Sequence, residues 1–310
     1  MFSVIFPGQG SQIVGMASEF YSKFELFKKL YRHADEVLNF PLSKLILEGP
    51  KEKLDLTENT QPAIFLVGYS IFQILKEEYK IDLNKAKFFA GHSLGEYTAL
   101  ACAGALDFES TLKILKFRGN AMQSAVPKGE GGMLAILGSN TETIEKIFSD
   151  NKDKYQCFIA NDNSNGQLVV SGKIENIDKL SLDLASKSIK NIKLPVSAPF
   201  HCHLMSKATE LMKKEIEKLK FGDFQTPLIS NVSATEIQDK VSLKDLLVKQ
   251  IESRVRWRES VLYMINNGVN QFIEIGPGKV LSGLVKRIDK NVKISAINKE
   301  EDISVININD

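Results

Sequence analysis

Residues 91–97 read Gly-His-Ser-Leu-Gly-Glu-Tyr, which places Gly91 and Gly95 two positions to either side of Ser93. The preceding KFFA (87–90) reads as a short buried strand, and the following LGEYTALACAGAL as a helix rich in small side chains. A strand that breaks straight into a helix makes a sharp turn. Its tip residue is strained, and the residues two positions away crowd the turn unless they lack side chains. Such an elbow exposes the Ser93 hydroxyl at a helix N-terminus, where unpaired backbone N–H groups can stabilise a developing oxyanion. The chemistry this offers is nucleophilic attack, and a serine nucleophile needs a base. The chain has four histidines, His33, His92, His201 and His203. His92 is next to Ser93, but adjacent residues on a tight elbow point in different directions. His33 lies in YRHADE, which reads as a charged, solvated helical face. His201 and His203 share the loop LPVSAPFHCHLM (194–205), a suitable place for site residues. Spacing alone does not choose between those two.

Arg118 stands out among its neighbours. The chain has six arginines, and this one sits with Ile114, Leu115, Phe117 and Met122 on a helical stretch. Arginine stays charged, and its planar fork holds a carboxylate through two hydrogen bonds. PGQGSQ (7–12) fails the dinucleotide fingerprint because position 13 is Ile13 rather than glycine. As a Gly-flanked turn after the first strand it can instead supply a second oxyanion donor. GPGK (276–279) lacks the phosphate-loop spacing and reads as a turn before a helix.

These residues need elements to hold them. FSVIF (2–6) reads as an apolar strand, 19–38 and 62–79 as amphipathic helices, and 108–124 as another helix. Strands alternating with helices indicate a parallel sheet covered on both faces. The pattern changes after the Pro/Gly-rich AVPKGEGG (125–132). Strands at 133–138, 155–160, 167–172 and 188–194, with helices at 141–150 and 174–187, follow the ferredoxin-like order β-α-β-β-α-β. NDNSNG (161–166) reads as a turn between the middle strands. We therefore expect an α/β chain with a larger unit at 1–126 and 198–310 and a small inserted unit at 127–197. PLISNVSA then reads as strand-like, SLKDLLVKQIES and WRESVLYMINNG as helical, and QFIEIGPGKVLSGLVKRI as strand, turn and helix.

With 310 residues, 43% of them hydrophobic, the chain can bury a sizeable core. A net charge of +2 argues against nucleic acid as the main partner. No run of eighteen apolar residues suggests a membrane span. The first residues reach Pro7-Gly8 too soon for a secretory signal. Cys102, Cys157 and Cys202 are far apart, an odd number without metal-ligand spacing, which suggests a reducing cytoplasm.

PGQGSQ, GHSLGEY, RGNAMQ, APFHCHLM and EIGPGKVL, in this order, resemble the malonyl-CoA:acyl carrier protein transacylases of bacterial type II fatty acid synthesis. The resemblance runs from residue 2 to about residue 300. It implies an α/β-hydrolase-like larger subdomain with a parallel sheet, carrying an inserted ferredoxin-like subdomain. It places the nucleophile on Ser93 and the base on His201 rather than His203. It assigns the malonyl carboxylate to Arg118 and the oxyanion hole to the backbone N–H groups of Gln9 and Leu94. The histidine would be oriented by the backbone carbonyl of Gln250. Phe200 matches the pattern associated with malonyl rather than methylmalonyl selection. The implied substrates are malonyl-CoA, a coenzyme A thioester, and phosphopantetheinylated acyl carrier protein. No metal or redox cofactor is implied, a monomer is expected, and the compartment would be the cytoplasm or an organelle housing a type II synthase. Because acyl carriers of this kind are acidic, Arg254, Arg256, Arg258 and the pair Lys286-Arg287 are expected to form a basic docking face.

Two rival classes share part of this pattern. A serine esterase or thioesterase has the elbow, but it usually places its histidine near the C-terminus, whereas His203 is the last of this 310-residue chain. A non-catalytic carrier-binding protein would not need Ser93, His201 and Arg118 together. An acyltransferase serving a polyketide pathway shares every motif.

Overall fold

The computed structural model describes residues 1–196 and 198–306. Nine strands occur in the described residues: β1 (Phe2–Phe6), β2 (Phe88–Gly91), β3 (Gly131–Leu137), β4 (Phe158–Ser164), β5 (Gln167–Lys173), β6 (Lys190–Lys193), β7 (Leu228–Ile229), β8 (Gln271–Ile275) and β9 (Lys293–Ile297). They form two sheets. The parallel sheet has the order β7-β2-β1-β8-β9, and the antiparallel sheet has the order β4-β5-β3-β6.

The parallel sheet is wound from its middle. The chain begins in β1, moves outward through β2 to β7, then returns to the other side of β1 for β8 and β9. Every residue of β1 is buried, as a near-continuous apolar run in a sheet covered on both faces requires. Reversal of strand order beside β1 opens a crevice at the carboxyl ends of the strands. Three loops leave there: PGQGSQ after β1, HSLG after β2 and GPGK after β8. The last is anchored by buried Glu274, whose carboxylate accepts from the N–H groups of Leu281 (3.0 Å) and Ser282 (2.7 Å) at the start of the helix Val280–Ile288.

The antiparallel sheet has the ferredoxin-like strand order, with the helices Thr141–Ser149 and Ile174–Ser186 over one face. Side chains alternate along β3. Leu134 and Ile136 pack with Ile144, Ile177 and Leu180 in a small separate core. Met133 and Ala135 point the other way and join the main core with Val169 of β5. The small sheet thus turns one apolar face toward the large one. The expected unit boundary at 197 and the last residues of the larger unit, 307–310, lie outside the described residues.

Several expected limits shift. The helix expected to begin at 62 spans Thr57–Glu77, with Pro62 inside it, and is buried on nearly every side rather than amphipathic. It is enclosed by the helices Glu25–Leu38 and Phe108–Ser124, so it has little solvent face to mark with polar residues. The strand expected at 155–160 is β4, Phe158–Ser164, and takes in most of the stretch read as a turn. Two of its polar side chains, Asp162 and Asn163, have fixed partners. Asp162 receives a forked pair of hydrogen bonds from Arg258 (2.8–3.1 Å), and its N–H donates to the Val255 carbonyl at 2.9 Å. Strand β9 and the short helix Leu42–Glu48 have no counterpart in the sequence reading. No described helix is long and apolar enough to cross a membrane.

Candidate active site

Ser93 stands at the carboxyl end of β2, just before the helix Gly95–Cys102, with a positive φ of 54°. A Cβ on Gly91 would lie 1.9 Å from the Gly95 carbonyl, and one on Gly95 would lie 2.2 Å from the Phe6 carbonyl. Glycine is therefore required at both places, because the turn folds onto itself and onto the end of β1. Asn231, just after β7, braces the tip. Its Oδ1 accepts from the Ser93 N–H at 2.7 Å and its Nδ2 donates to the Gly91 carbonyl at 2.7 Å.

His201 is 4% exposed, on the loop after β6, with a φ of 58°. Ser171 of β5 donates to the carbonyl of Phe200 and ties that loop to the small sheet. His201 Nε2 lies 2.8 Å from Ser93 Oγ, and Nδ1 lies 2.8 Å from the Gln250 carbonyl. A carbonyl only accepts, so Nδ1 carries the proton and Nε2 is the acceptor facing the serine. Gln250 is the last residue of the helix Lys240–Gln250, where carbonyls have no intrahelical partner and carry the negative end of the dipole. Burial, reinforced by the nearby Arg118 charge, pushes the His201 imidazole down from 6.5 to about 3, so it is neutral at neutral pH.

Arg118 is 1% exposed. Its Nη1 donates to Gln61 Oε1 at 2.8 Å, and its Nη2 donates to Gln250 Oε1 at 2.8 Å and to Ser93 Oγ at 3.1 Å. Nε is buried with no hydrogen-bond partner among the described residues. No carboxylate among them pairs directly with the guanidinium, which rests against the Tyr97 ring 5.6 Å away. The next residue, Gly119, lets its helix approach the helix Thr57–Glu77, since a Cβ there would lie 2.5 Å from the Thr57 carbonyl. That contact brings Arg118 and Gln61 together.

A cavity of about 280 Å³ joins these groups. Gln9, Ser93, Leu94 and Arg118 line it from the large sheet's side, and Phe200 and His201 from the loop after β6. Met133, Ala135 and Val169 line it from the small sheet. The backbone N–H groups of Gln9 and Leu94 have no hydrogen-bond partner among the described residues, whereas that of Ser93 is taken by Asn231. Gln9's side chain donates to Thr57 Oγ1 at 3.3 Å and helps hold its loop.

The remaining histidines lie apart from the serine hydroxyl. His92 turns its Nε2 to Asn163 Oδ1 at 2.8 Å. His203 is exposed and meets the edge of the Phe158 ring, 4.3 Å between centroids. His33 is half-exposed against Phe108, with Glu109 at 3.3 Å. The three arginines expected in a basic face are each paired: Arg254 with Glu145, Arg256 with Glu259 and Arg258 with Asp162. Lys286 and Arg287 are exposed and bond neutral groups, the Lys290 carbonyl and the Gln167 side chain. Sequence reasoning did not find Gln61, Glu96 or Asn231 as parts of the site. Glu96 lay inside the quoted motif, but nothing in the sequence pairs it with Gln250, 154 residues away.

The sequence matches the family model described as "Acyl transferase domain" over residues 3–305. The chain belongs to the acyl transferase family. This acyltransferase is 41% identical to the malonyl CoA-acyl carrier protein transacylase of Bacillus subtilis, over 97% of its own length and 94% of that protein. It is similar to the crystal structure of the acyl-carrier-protein-S-malonyltransferase of Bartonella henselae, with a TM-score of 0.94, 40% identity, and 98% and 97% of the two chains covered. A further similar structure is a malonyl-transacylase in complex with a type II PKS acyl-carrier protein, with a TM-score of 0.94, 35% identity and 98% of each chain covered. Among the described residues, no group of three or more His, Cys, Asp or Glu is placed to hold a metal ion.

Proposed function

We propose that this acyltransferase moves the malonyl group from malonyl-CoA to the phosphopantetheine thiol of an acyl carrier protein through a malonyl ester on Ser93, in the service of fatty acid synthesis. One observation carries the reading. Ser93 Oγ has a neutral imidazole at 2.8 Å and a buried guanidinium at 3.1 Å, so nucleophile, base and anion receptor meet at one atom. Relatives named for this transfer, including one seen with its carrier, support the substrate pair.

In the first half-reaction His201 Nε2 takes the Ser93 proton as Oγ attacks the thioester carbonyl. The imidazolium is stabilised by the Gln250 carbonyl at the helix end. The N–H groups of Gln9 and Leu94 receive the oxyanion. The C–S bond breaks, and the coenzyme A sulfur leaves with the proton from His201. In the second half the carrier thiol gives its proton to His201 and attacks the ester. The C–O bond breaks, and Oγ recovers the proton. Arg118 takes the distal carboxylate, with the Nη2 N–H now directed at Ser93 Oγ free to turn to it once Oγ carries the acyl group. We also propose 127–197 as an inserted unit whose inner face forms the far wall of the acyl cavity.

Intact-mass spectrometry after mixing with malonyl-CoA tests the ester. One malonyl adduct is expected, absent in Ser93→Ala and discharged by added carrier. An adduct that persists in Ser93→Ala would place the acyl group elsewhere.

A further inference from the structure

The Gln250 side chain stands between opposite charges. Its Oε1 accepts from Arg118 Nη2 at 2.8 Å. Its Nε2 donates to Glu96 Oε2 at 2.6 Å and to the Ser93 carbonyl at 3.0 Å. Glu96 is 1% exposed, under the elbow. Its Oε2 also accepts from the Asn231 N–H at 3.2 Å, while Oε1 is buried without a partner among the described residues. The charged or titratable groups facing it are Arg118 and Tyr97. A primary amide between a cation and a carboxylate has one favourable orientation. Turned over, it would point N–H at the guanidinium and C=O at the carboxylate, unfavourable at both ends.

We propose that Glu96 is a positioning residue: acting through the Gln250 amide, its carboxylate holds Arg118 where an acidic acyl group must bind, and so sets the preference for malonyl over neutral acyl thioesters. The proposal rests on Arg118 as the carboxylate receptor. Glu96 has no contact with Ser93 Oγ or with the His201 ring, and Gln250 orients His201 by its backbone carbonyl, so Glu96 reaches the reacting pair only through the amide's bonds to the Ser93 carbonyl and to Arg118. Burial raises the Glu96 carboxyl to about 7. Its protonation would remove the charge that strengthens the amide's hold on Arg118, so malonyl transfer should weaken more than neutral acyl transfer as pH falls through neutrality.

The test is the ratio of specificity constants, malonyl-CoA over acetyl-CoA, for acylation of Ser93. In the wild-type enzyme the ratio should fall several-fold from about pH 8 to about pH 6, bracketing the region where Glu96 titrates. Glu96→Gln keeps an acceptor oxygen but loses the charge. Its ratio should drop about tenfold, the scale of one hydrogen bond to a charged group, and lose its pH dependence. Glu96→Asp should recover part of the ratio. A wild-type ratio that is flat with pH would overturn the proposal without any variant. So would a Glu96→Gln enzyme in which both substrates slow by the same factor. Arg118→Ala, measured alongside, separates the two levels. If it leaves the ratio unchanged, the reading of Arg118 has failed. If it lowers the ratio and Glu96→Gln does not, only the role of Glu96 has failed.

Discussion

Ser93 Oγ and His201 Nε2 are 2.8 Å apart, and both residues hold left-handed backbone conformations, with φ of 54° and 58°. A non-glycine residue in that region costs on the order of 1–3 kcal/mol, and it persists only where the surroundings over-determine it. For Ser93 the surroundings are the Gly91–Gly95 contact and the two Asn231 bonds. For His201 they are the Ser171 bond to the preceding carbonyl and the Gln250 carbonyl on the ring. Asn231→Ala should therefore lower stability by about 1–3 kcal/mol, the cost of stranding buried polar groups. It should also slow Ser93 acylation more than carrier or thioester binding. Thermal melts and single-turnover acylation would measure both; wild-type values in each would show that the elbow does not need this brace.

His201, not His203, should act as the base. His201→Ala should lower the acylation rate on the order of a hundredfold or more. His203→Ala should stay near wild type, because that ring lies against Phe158 at the surface. The reverse pattern in stopped-flow acylation would reject the assignment.

The same histidine should make the fold acid-sensitive. Its folded pKa lies below its unfolded one, about 3 against 6.5, so the unfolded chain binds the extra proton between those values. The stability tied to a neutral His201 is thus present above about pH 6.5 and declines as pH falls toward about 3. Chemical denaturation of wild type and His201→Gln across this window should show a smaller acid loss in the variant. Equal losses would mean the imidazole is readily protonated in place.

Arg118 should govern selection of the acyl group. Without a carboxylate to meet it, the buried guanidinium penalises a neutral acyl chain. Arg118→Ala should lose malonyl transfer and gain relative acetyl transfer. Arg118→Lys should also be poor, because a point charge does not reproduce the fork held by Gln61 and Gln250. An unchanged malonyl-to-acetyl ratio in Arg118→Ala would move malonyl recognition elsewhere.

Carrier docking should depend on Lys286 and Arg287 more than on the arginine triplet. Arg258 faces a buried Asp162, so Arg258→Ala should chiefly destabilise, by roughly 1–3 kcal/mol after allowing for its partial exposure. Lys286→Glu with Arg287→Glu should raise the apparent KM for an acidic carrier, most strongly at low salt, since screening acts over roughly 8–10 Å at ordinary ionic strength. Transfer rates independent of salt in both enzymes would argue against electrostatic docking.

Much of the site was legible because each part is a local event in the chain. Gly-x-Ser-x-Gly encodes a turn whose crowding depends only on nearby backbone, and β1 announced itself as an apolar run. Arg118 was conspicuous as a lone arginine among Ile114, Leu115 and Met122. The choice of His201 over His203 was beyond residue spacing and came from the family resemblance, because what separates them is the position of β5 and of a distant helix end. Asn231, Gln61 and Glu96 were invisible for the same reason, since each acts across a fold the sequence does not spell out. The polar strand β4 reads as a turn because Asn, Asp and Ser ordinarily signal turns, and here Arg258 and His92 satisfy Asp162 and Asn163 in a strand.

The alternation along β3 has an evolutionary consequence. In the proposed mechanism bond making belongs to the elbow after β2 and the loop after β6, whereas Met133, Ala135 and Val169 line the cavity from within strands of the small sheet. None of those side chains hydrogen-bonds Ser93 or His201, and their strand neighbours, facing the other way, belong to the separate small core. Substrate range can therefore diversify by mutation within strands while the reaction is inherited on the loops.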